Sequence, residues 1–541
     1  MAVSFLVACL ALPAAGRAQS LRTVPTDHWA YDVADQALLR HPELGRGLWL
    51  ANRPWREADF RLLVARADSA GVRAEDPGAG GWLDLLSEAF PPDAASEEGV
   101  YYHNEVSAYA AVDARKDDVT FEPAFAAPMF GDSVGEPIAR AFVQHDFGVQ
   151  FRESFVLGWR YAVDSNVRND PTRFRQEEVR SGEEFGFAIL DAYGTAHWGP
   201  LWVTVGRTAF EWGPGRASAV FVSDSIPPLD QARIELGPPR VRFTGVIARL
   251  SSDSQNRSLD ADGEPIQGSE PPEAGLREVT RYLYLHRLDW QPWPRLQVAV
   301  GEAALVTGFD RGLEFRYANL LTPFFITQKD EDEPDALQVN LFVDAELVAT
   351  PVDGLRVYGH AFVQDFQLFD RGENETPDQY AVRFGGELGP PGWPVTGGME
   401  YTRVLSFMYL HRGLNTNWSQ FGVPIGSMLG PDADMGLAWL DWWVRPATRV
   451  TAEAMARRGG ENSMATLESV GGAGYDFPRG TSQKELRLAL EGWTLLPAWG
   501  LEATGRVSWR DVTSVANSPG EDEGYWRAAL SLRWRHEFGR R

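Results

Sequence analysis

The chain has 541 residues and a formal net charge of −24, with 44% hydrophobic and 12% aromatic residues, 53 Gly, 35 Pro and one Cys. That length exceeds one small domain and that apolar content exceeds a disordered tail; the acidic excess runs against phosphate binding by Lys and Arg, and a single Cys excludes a disulfide framework or a multi-Cys zinc site. Twenty Trp, 29 Phe and 15 Tyr form a heavy aromatic load of the kind that gathers where an apolar surface meets water; a large secreted all-β protein is the plain alternative.

Residues Met1–Ser20 read MAVSFLVACLALPAAGRAQS. An apolar stretch from Val3 to Leu12, a Pro and then small residues ending at Ala18 mark residues 1–18 as a secretory signal peptide, although a basic start is missing. Leu6-Val7-Ala8-Cys9 has the letters of a lipobox, but more apolar sequence follows the Cys, so no lipid anchor is expected. No later window offers about 18 uninterrupted apolar residues, so no spanning helix is expected.

Residues 21–92 carry helical periodicity. Asp27 is placed to cap a helix through Trp29, Val33 and Ala37. Pro54 suits a first turn, followed by Phe60, Leu63, Val64 and Ala67 on one face and a stop at Gly71; a third helix turns Trp82, Leu85, Leu86 and Ala89 inward and ends at Pro91-Pro92. Val24-Pro25-Thr26-Asp27-His28-Trp29-Ala30-Tyr31 resembles the opening of an S-layer homology (SLH) repeat, and Phe60-Arg61-Leu62-Leu63-Val64-Ala65-Arg66 resembles its closing helix. SLH modules bind cell-wall polymers through Thr-Arg-Ala-Glu. The matching positions here are Arg56-Glu57-Ala58-Asp59, with an acid where the family has its base. A periplasmic plug or cap is therefore the reading preferred for this SLH-like module, with peptidoglycan as the alternative partner.

From Tyr101 the period changes to 2. Trp499, Leu501, Ala503, Gly505, Val507 and Trp509 share one face, with Glu502, Thr504, Arg506, Ser508 and Arg510 on the other. Val339 to Ala349 and Phe155 to Val163 repeat the pattern, and Leu530, Leu532, Trp534, His536 and Phe538 close it. Strands of about 11 residues match a tilted bilayer crossing, whereas soluble strands are nearer 5 or 6. After Val279 the connectors alternate short and long, as an antiparallel meander with short periplasmic turns and long outer loops requires. Both termini on the periplasmic side demand an even strand count. One strand beyond those readable is needed, within Thr208–Arg240, giving 18, with 16 as the fallback. The expected fold is all-β: a closed antiparallel transmembrane β-barrel over residues 101–541 with a small N-terminal helical periplasmic module.

Val205-Gly206-Arg207-Thr208-Ala209-Phe210-Glu211-Trp212-Gly213-Pro214-Gly215, running on to Ser223-Asp224-Ser225-Ile226-Pro227-Pro228, resembles the motif region of the Wzi-like capsule assembly family. Gly301-Glu302 followed by Leu313-Glu314-Phe315-Arg316-Tyr317-Ala318-Asn319-Leu320-Leu321-Thr322-Pro323 is similar to a second block of that family. The resemblance implies a barrel in the outer membrane of a Gram-negative cell that holds capsular or extracellular polysaccharide at the surface. Its partners are then membrane lipid and polysaccharide, with no nucleic acid.

Sugars are held by aromatic faces against their C–H surface and by carboxylates and amides on their hydroxyls. Candidate contacts are Trp212 and Asp224 in one long connection and Asn415, Asn417, Trp418 and Phe421 in another; an interfacial aromatic girdle is the competing explanation. No cofactor is expected. The acidic run Asp330-Glu331-Asp332-Glu333 with Asp335 is read as a solvated loop, with Ca²⁺ held by Asp330, Asp332 and Asp335 as the alternative. There is no G-x-S-x-G, H-E-x-x-H, P-loop or complete G-x-G-x-x-G after a strand, and His286, His360 and His536 fall within strands, so an enzyme is not expected. A diffusion channel for small solutes is the alternative function.

Overall fold

The computed structural model describes residues 21–91, 100–114, 122–124, 127–129, 138–151, 154–164, 186–251, 279–309, 311–329, 339–365, 378–411, 416–464 and 477–537. The signal peptide expected at residues 1–18 lies outside them.

The first part is helical: α1 (Ala30–Arg40), α2 (Glu57–Ala70), the single turn α3 (Val72–Glu75) and α4 (Pro77–Ala89). Each buries the expected face, with Val33 and Ala37 of α1, Phe60, Leu63, Val64 and Ala67 of α2, and Trp82 and Leu86 of α4 in one core. Leu83 takes the central place expected for Leu85. Gly71 ends α2 with a φ of 73°, a left-handed turn that a side chain would strain. Asp76 caps α4 by accepting from Gly78 N and Ala79 N, each at 3.1 Å. Asp27 does not cap α1. The Ala30 N–H donates to His28 Nδ1 at 3.2 Å instead, while Asp27 is drawn 3.3 Å from Arg533 in the last strand.

The remainder is a meander of long strands: β1 (Val100–Ala114), β2 (Ile138–Phe151), β3 (Phe155–Asp164), β4 (Gly186–Trp198), β5 (Leu201–Thr208), β6 (Leu229–Leu236), β7 (Val241–Leu250), β8 (Val279–Trp293), β9 (Leu296–Phe309), β10 (Val339–Val352), β11 (Leu355–Asp365), β12 (Gln379–Leu388), β13 (Val395–Val404), β14 (Ala433–Arg445), β15 (Thr448–Gly459), β16 (Gln483–Leu496), β17 (Leu501–Thr513) and β18 (Glu523–Glu537). Each pairs antiparallel with its sequence neighbours, and β18 pairs with β1 through Glu105↔Glu537 to Ala114↔Ala528. β6 falls inside the Thr208–Arg240 interval where parity asked for a strand.

The two faces are inverted relative to a soluble protein. On β10, Val343 and Leu347 are exposed on the outside, whereas Asp344 is fully buried and Glu346 nearly so on the inside. β17 turns Val507 out and Glu502, Thr504, Arg506, Ser508 and Arg510 in. A sheet with period-2 polarity of this sense hides its charges in the lumen and shows an apolar wall outside. Two-residue connections such as 294–295, 353–354 and 446–447 sit at one end, and the strand ends that the long connections join lie at the other.

The helical head occupies the short-turn end from within. Arg40 donates to Trp393 O at 2.9 Å, Gly354 N donates to Leu39 O at 2.8 Å, and Arg449 pairs with Asp32 at 2.8 Å. Trp82 packs edge-on against Trp443 with centroids 5.3 Å apart, so the helical core continues into the inner wall through Trp443, Trp493 and Leu495.

Candidate functional site in the barrel lumen

The segment 209–228 between β5 and β6 lies against inward side chains of the wall rather than projecting from the long-loop end. Phe210, Trp212 and residues Val220–Val222 pack on Leu283, Leu285, Leu305, Phe342 and Phe362. Glu211-Trp212 pairs antiparallel with Asn52-Arg53 of the head, and Gly213 N donates to Ala51 O at 2.8 Å. The Trp-Gly-Pro-Gly motif is thus a joint between head, inner loop and wall.

Its glycines are dictated by close approach. Gly213 has φ 144° and a Cβ there would lie 2.7 Å from His360 Nδ1; Gly215 has φ 116° and a Cβ there would overlap Glu400 Oε2. Around them Arg383 donates to Pro214 O at 3.1 Å and Ala217 O at 2.8 Å, while Glu400 accepts from Arg216 N at 3.0 Å and Tyr358 Oη at 3.0 Å. Charge-assisted bonds of this kind are the strong ones. They let a loop without regular structure sit in the lumen with its backbone satisfied.

The second family block lies on the opposite side of the wall. Glu302, an outward residue of β9, accepts from Phe324 N at 3.0 Å and sits 2.9 Å from His286 Nδ1, and the Phe324 ring stacks on His286 with centroids 4.2 Å apart. Tyr317 is buried against Tyr284, and Leu320 rests where Gly245 has no side chain. Residues 311–329, ending in the short helix α5 (Phe324–Lys329), therefore drape over the outer face of β7 to β10 and leave Phe315, Leu321, Phe325 and Ile326 exposed.

The open space inside the barrel is a cavity of about 590 Å³ bounded by the inner loops, the head and the inward rows of β14 to β18. Its wall is charged and mostly paired. Glu453 accepts from Arg487 and Arg506, each at 2.7 Å; Arg510 lies 3.2 Å from Glu485; Arg216 reaches Asp441 at 2.9 Å. Glu211 also lines the cavity. Burial, reinforced by the neighbouring charge of Asp224, pushes its carboxyl up to about 8 against the pull of Arg53 and Arg383. A second space of about 260 Å³ lies at the short-turn end. The two share Asp27, His28, Trp29, Glu502 and Arg533, so a thin partition separates them.

The sequence-predicted contacts are distributed unevenly around this space. Asp224 lies on the cavity wall beside Ser225. Trp212 is buried under Phe210 and Phe221, with the Arg287 guanidinium 5.5 Å from its ring. Trp418 is wholly buried: its Nε1 donates to Phe221 O at 3.0 Å, and Phe221, Phe342 and Phe362 surround its ring. Asn417 accepts from His411 N at 2.8 Å and donates to Met464 O at 3.1 Å. Phe421, half-buried with φ 53°, donates its N–H to Ser251 Oγ at 3.1 Å. Asn415, Asp330, Asp332 and Asp335 lie outside the described residues. Among the described residues no cluster of three or more metal-ligating side chains occurs.

The sequence placed Arg506 and Arg510 on a polar strand face but gave no luminal arginine a ligand role. Arg457, Arg487, Arg510 and Arg527 stand in the cavity wall, and a period-2 row of opposite charges on neighbouring strands was the available signal. The three charged residues of the SLH-like segment are engaged within the molecule. Arg56 pairs with Glu235 of β6, Glu57 with Arg22 at 2.7 Å, and Asp59 accepts from Arg56 N at 2.8 Å.

A solved barrel described as Wzi, an outer membrane protein involved in group 1 capsule assembly in Escherichia coli and a carbohydrate-binding β-barrel, superposes with a TM-score of 0.55 at 12% identity, over 93% of this chain and 97% of that one. Pseudomonas aeruginosa OprD matches over 83% of this chain and 98% of its own at 9% identity and a TM-score of 0.45, and Acinetobacter baumannii OccAB4 over 82% and 99% at 11% identity and a TM-score of 0.45. No curated protein matches the sequence. The family model for capsule assembly protein Wzi matches residues 138–523, which take in both motif blocks and the barrel from β2 into β18, and the chain belongs to that family.

Proposed function

We propose that this protein acts in the assembly or surface attachment of capsular or extracellular polysaccharide, as a closed barrel of eighteen strands that crosses the outer membrane. The single observation that carries the reading is the filling of the lumen. The head and two inner loops, 209–228 and the described parts of the second at 405–411 and 416–432, fill much of its cross-section and leave a walled cavity against β14 to β18. A lumen of that form suits holding a polymer rather than passing small solutes.

The exposed apolar rows, Leu486, Leu488 and Leu490 on β16 and Leu530, Leu532 and Trp534 on β18 among them, are matched to lipid. Short turns then face the periplasm, and the head is a plug inside the periplasmic mouth. The pairing of Arg56, Glu57 and Asp59 within the molecule favours that plug over peptidoglycan binding. Asp224 is the sequence-predicted residue best placed to meet a sugar, with Phe421 nearer the long-loop end. Trp212, Asn417 and Trp418 build the packed scaffold behind it. The role is one of binding, not catalysis.

Deletion of the gene tests the reading: cell-attached capsule is lost while polymer accumulates free in the medium. Unchanged cell-attached polymer, together with steady single-channel conductance of the purified protein in planar bilayers, would favour the channel.

A further inference from the structure

We propose that the half of the luminal cavity nearest the long loops is a binding site for the carboxylate of an acidic sugar, with Arg457 as its anchoring group. The proposal rests on the polysaccharide reading and adds the charge class of the ligand.

Four consecutive strands send a guanidinium into the cavity near their long-loop ends: Arg457 from β15, Arg487 from β16, Arg510 from β17 and Arg527 from β18. Arg487 and Arg510 are direct cross-strand partners. Like charges set opposite one another on a sheet repel. The carboxylates nearby are already committed, Glu485 to Arg510 at 3.2 Å and Glu453 to Arg487 and Arg506 at 2.7 Å each. Arg457 stands opposite Glu485 in the ladder, yet among the described residues it makes no hydrogen bond or ion pair. Its fork of donors opens on the cavity.

Deeper in the lumen Asp27, Asp32, Glu491 and Glu502 stand among Arg53, Arg506 and Arg533 and are each paired with an arginine, so no guanidinium surplus of this kind recurs there. An anionic ligand is therefore drawn to the upper half. A guanidinium meets a carboxylate through two parallel N–H···O bonds, a geometry that a Lys ammonium lacks. Across the cavity Ser218 and Ser225 offer hydroxyls to the rest of a sugar ring. The volume of about 590 Å³ lies within the roughly 300–1,000 Å³ of small-ligand sites.

The test is calorimetric titration of the full mature chain in detergent micelles with a glucuronate-containing disaccharide and, separately, with its neutral glucose counterpart. The acidic disaccharide binds at least about ten-fold more tightly, and Arg457→Gln abolishes that difference. Arg457→Lys keeps the charge and loses most of the preference, because the bidentate geometry is gone. Higher salt weakens the acidic ligand alone. Heat-modifiable gel mobility matching the parent's shows each variant folded, and Arg457→Lys carries the test should Arg457→Gln fail to fold. Equal affinity for the two disaccharides, or an undiminished preference in the Arg457 variants, overturns the proposal. If the charge preference is missing while deletion of the gene still releases polymer, this site falls and the polysaccharide role stands. If the preference holds while deletion leaves capsule attached, the site stands and that role falls.

Discussion

Gly215 shows how much the lumen depends on single atoms. Its φ of 116° and the overlap that a Cβ would make with Glu400 Oε2 leave no room for alanine. Strain of this type costs about 1–3 kcal/mol, and Gly215→Ala is expected to lower the thermal midpoint by loosening the Arg383 and Glu400 clamp. Trp418→Ala removes a wholly buried indole from the inner loops and is expected to cost about 3–5 kcal/mol, read by the same melt. Glu211 gives a dependence on pH. Burial and Asp224 hold its folded carboxyl at about 8, above its ordinary 4.5. Between those values the unfolded chain has released a proton that the folded chain retains, so stability falls as pH rises through this window. Glu211→Gln is expected to flatten that decline relative to the parent in melts at pH 5, 6, 7 and 8. His28, which burial and the charges of Arg535 and Arg533 hold well below its ordinary value, acts in the opposite sense: its stabilisation is present at neutral pH and fades as pH falls below the ordinary range. It is common to both proteins, so the comparison isolates Glu211.

Whole strands were readable where one face is apolar throughout. β17 and β10 show it: Val507, Val343 and Leu347 stand outside as the alternation required. β6 was legible only through parity. Its sequence LDQARIEL turns Gln231, Arg233 and Glu235 inward but sets Asp230 and Ala232 beside Ile234 outside, so no apolar row announces it. The helices declared their faces, while the entry to α1 did not, because the attraction of Asp27 to Arg533 acts across the whole length of the chain. The outer segment 311–329 was likewise unreadable as an element, since its seat is a missing side chain on another strand. Gly245→Val fills the place where Leu320 rests and is expected to lift the segment, at an overpacking cost of about 1–3 kcal/mol. Faster trypsin cleavage after Arg311 and Arg316, with unchanged barrel mobility on gels, is the measurement.

For the molecule as a whole, the family blocks were visible in sequence, but their positions were not. Long connections read as outer loops, and two of them run through the lumen because inward charges satisfy their backbones, Arg383 and Glu400 for the first and Arg281 for the second. The candidate site follows from that folding-in, which is why Trp212 and Trp418 looked like ligand contacts and Arg457 did not. The partition shared by the two cavities makes a prediction at this scale. The parent is expected to show no steady conductance in planar bilayers, whereas Trp29→Ala combined with Arg533→Gln, which removes the bulk and the tie to Asp27, is expected to show discrete openings. The draped segment over β7 to β10 has a consequence of its own. A cylinder thickened along one flank is no longer the same from every compass point in the plane of the bilayer. Phe315, Leu321, Phe325 and Ile326 form a ridge among bare staves, so a companion approaching sideways meets one flank unlike the rest, and the barrel acquires a fixed heading.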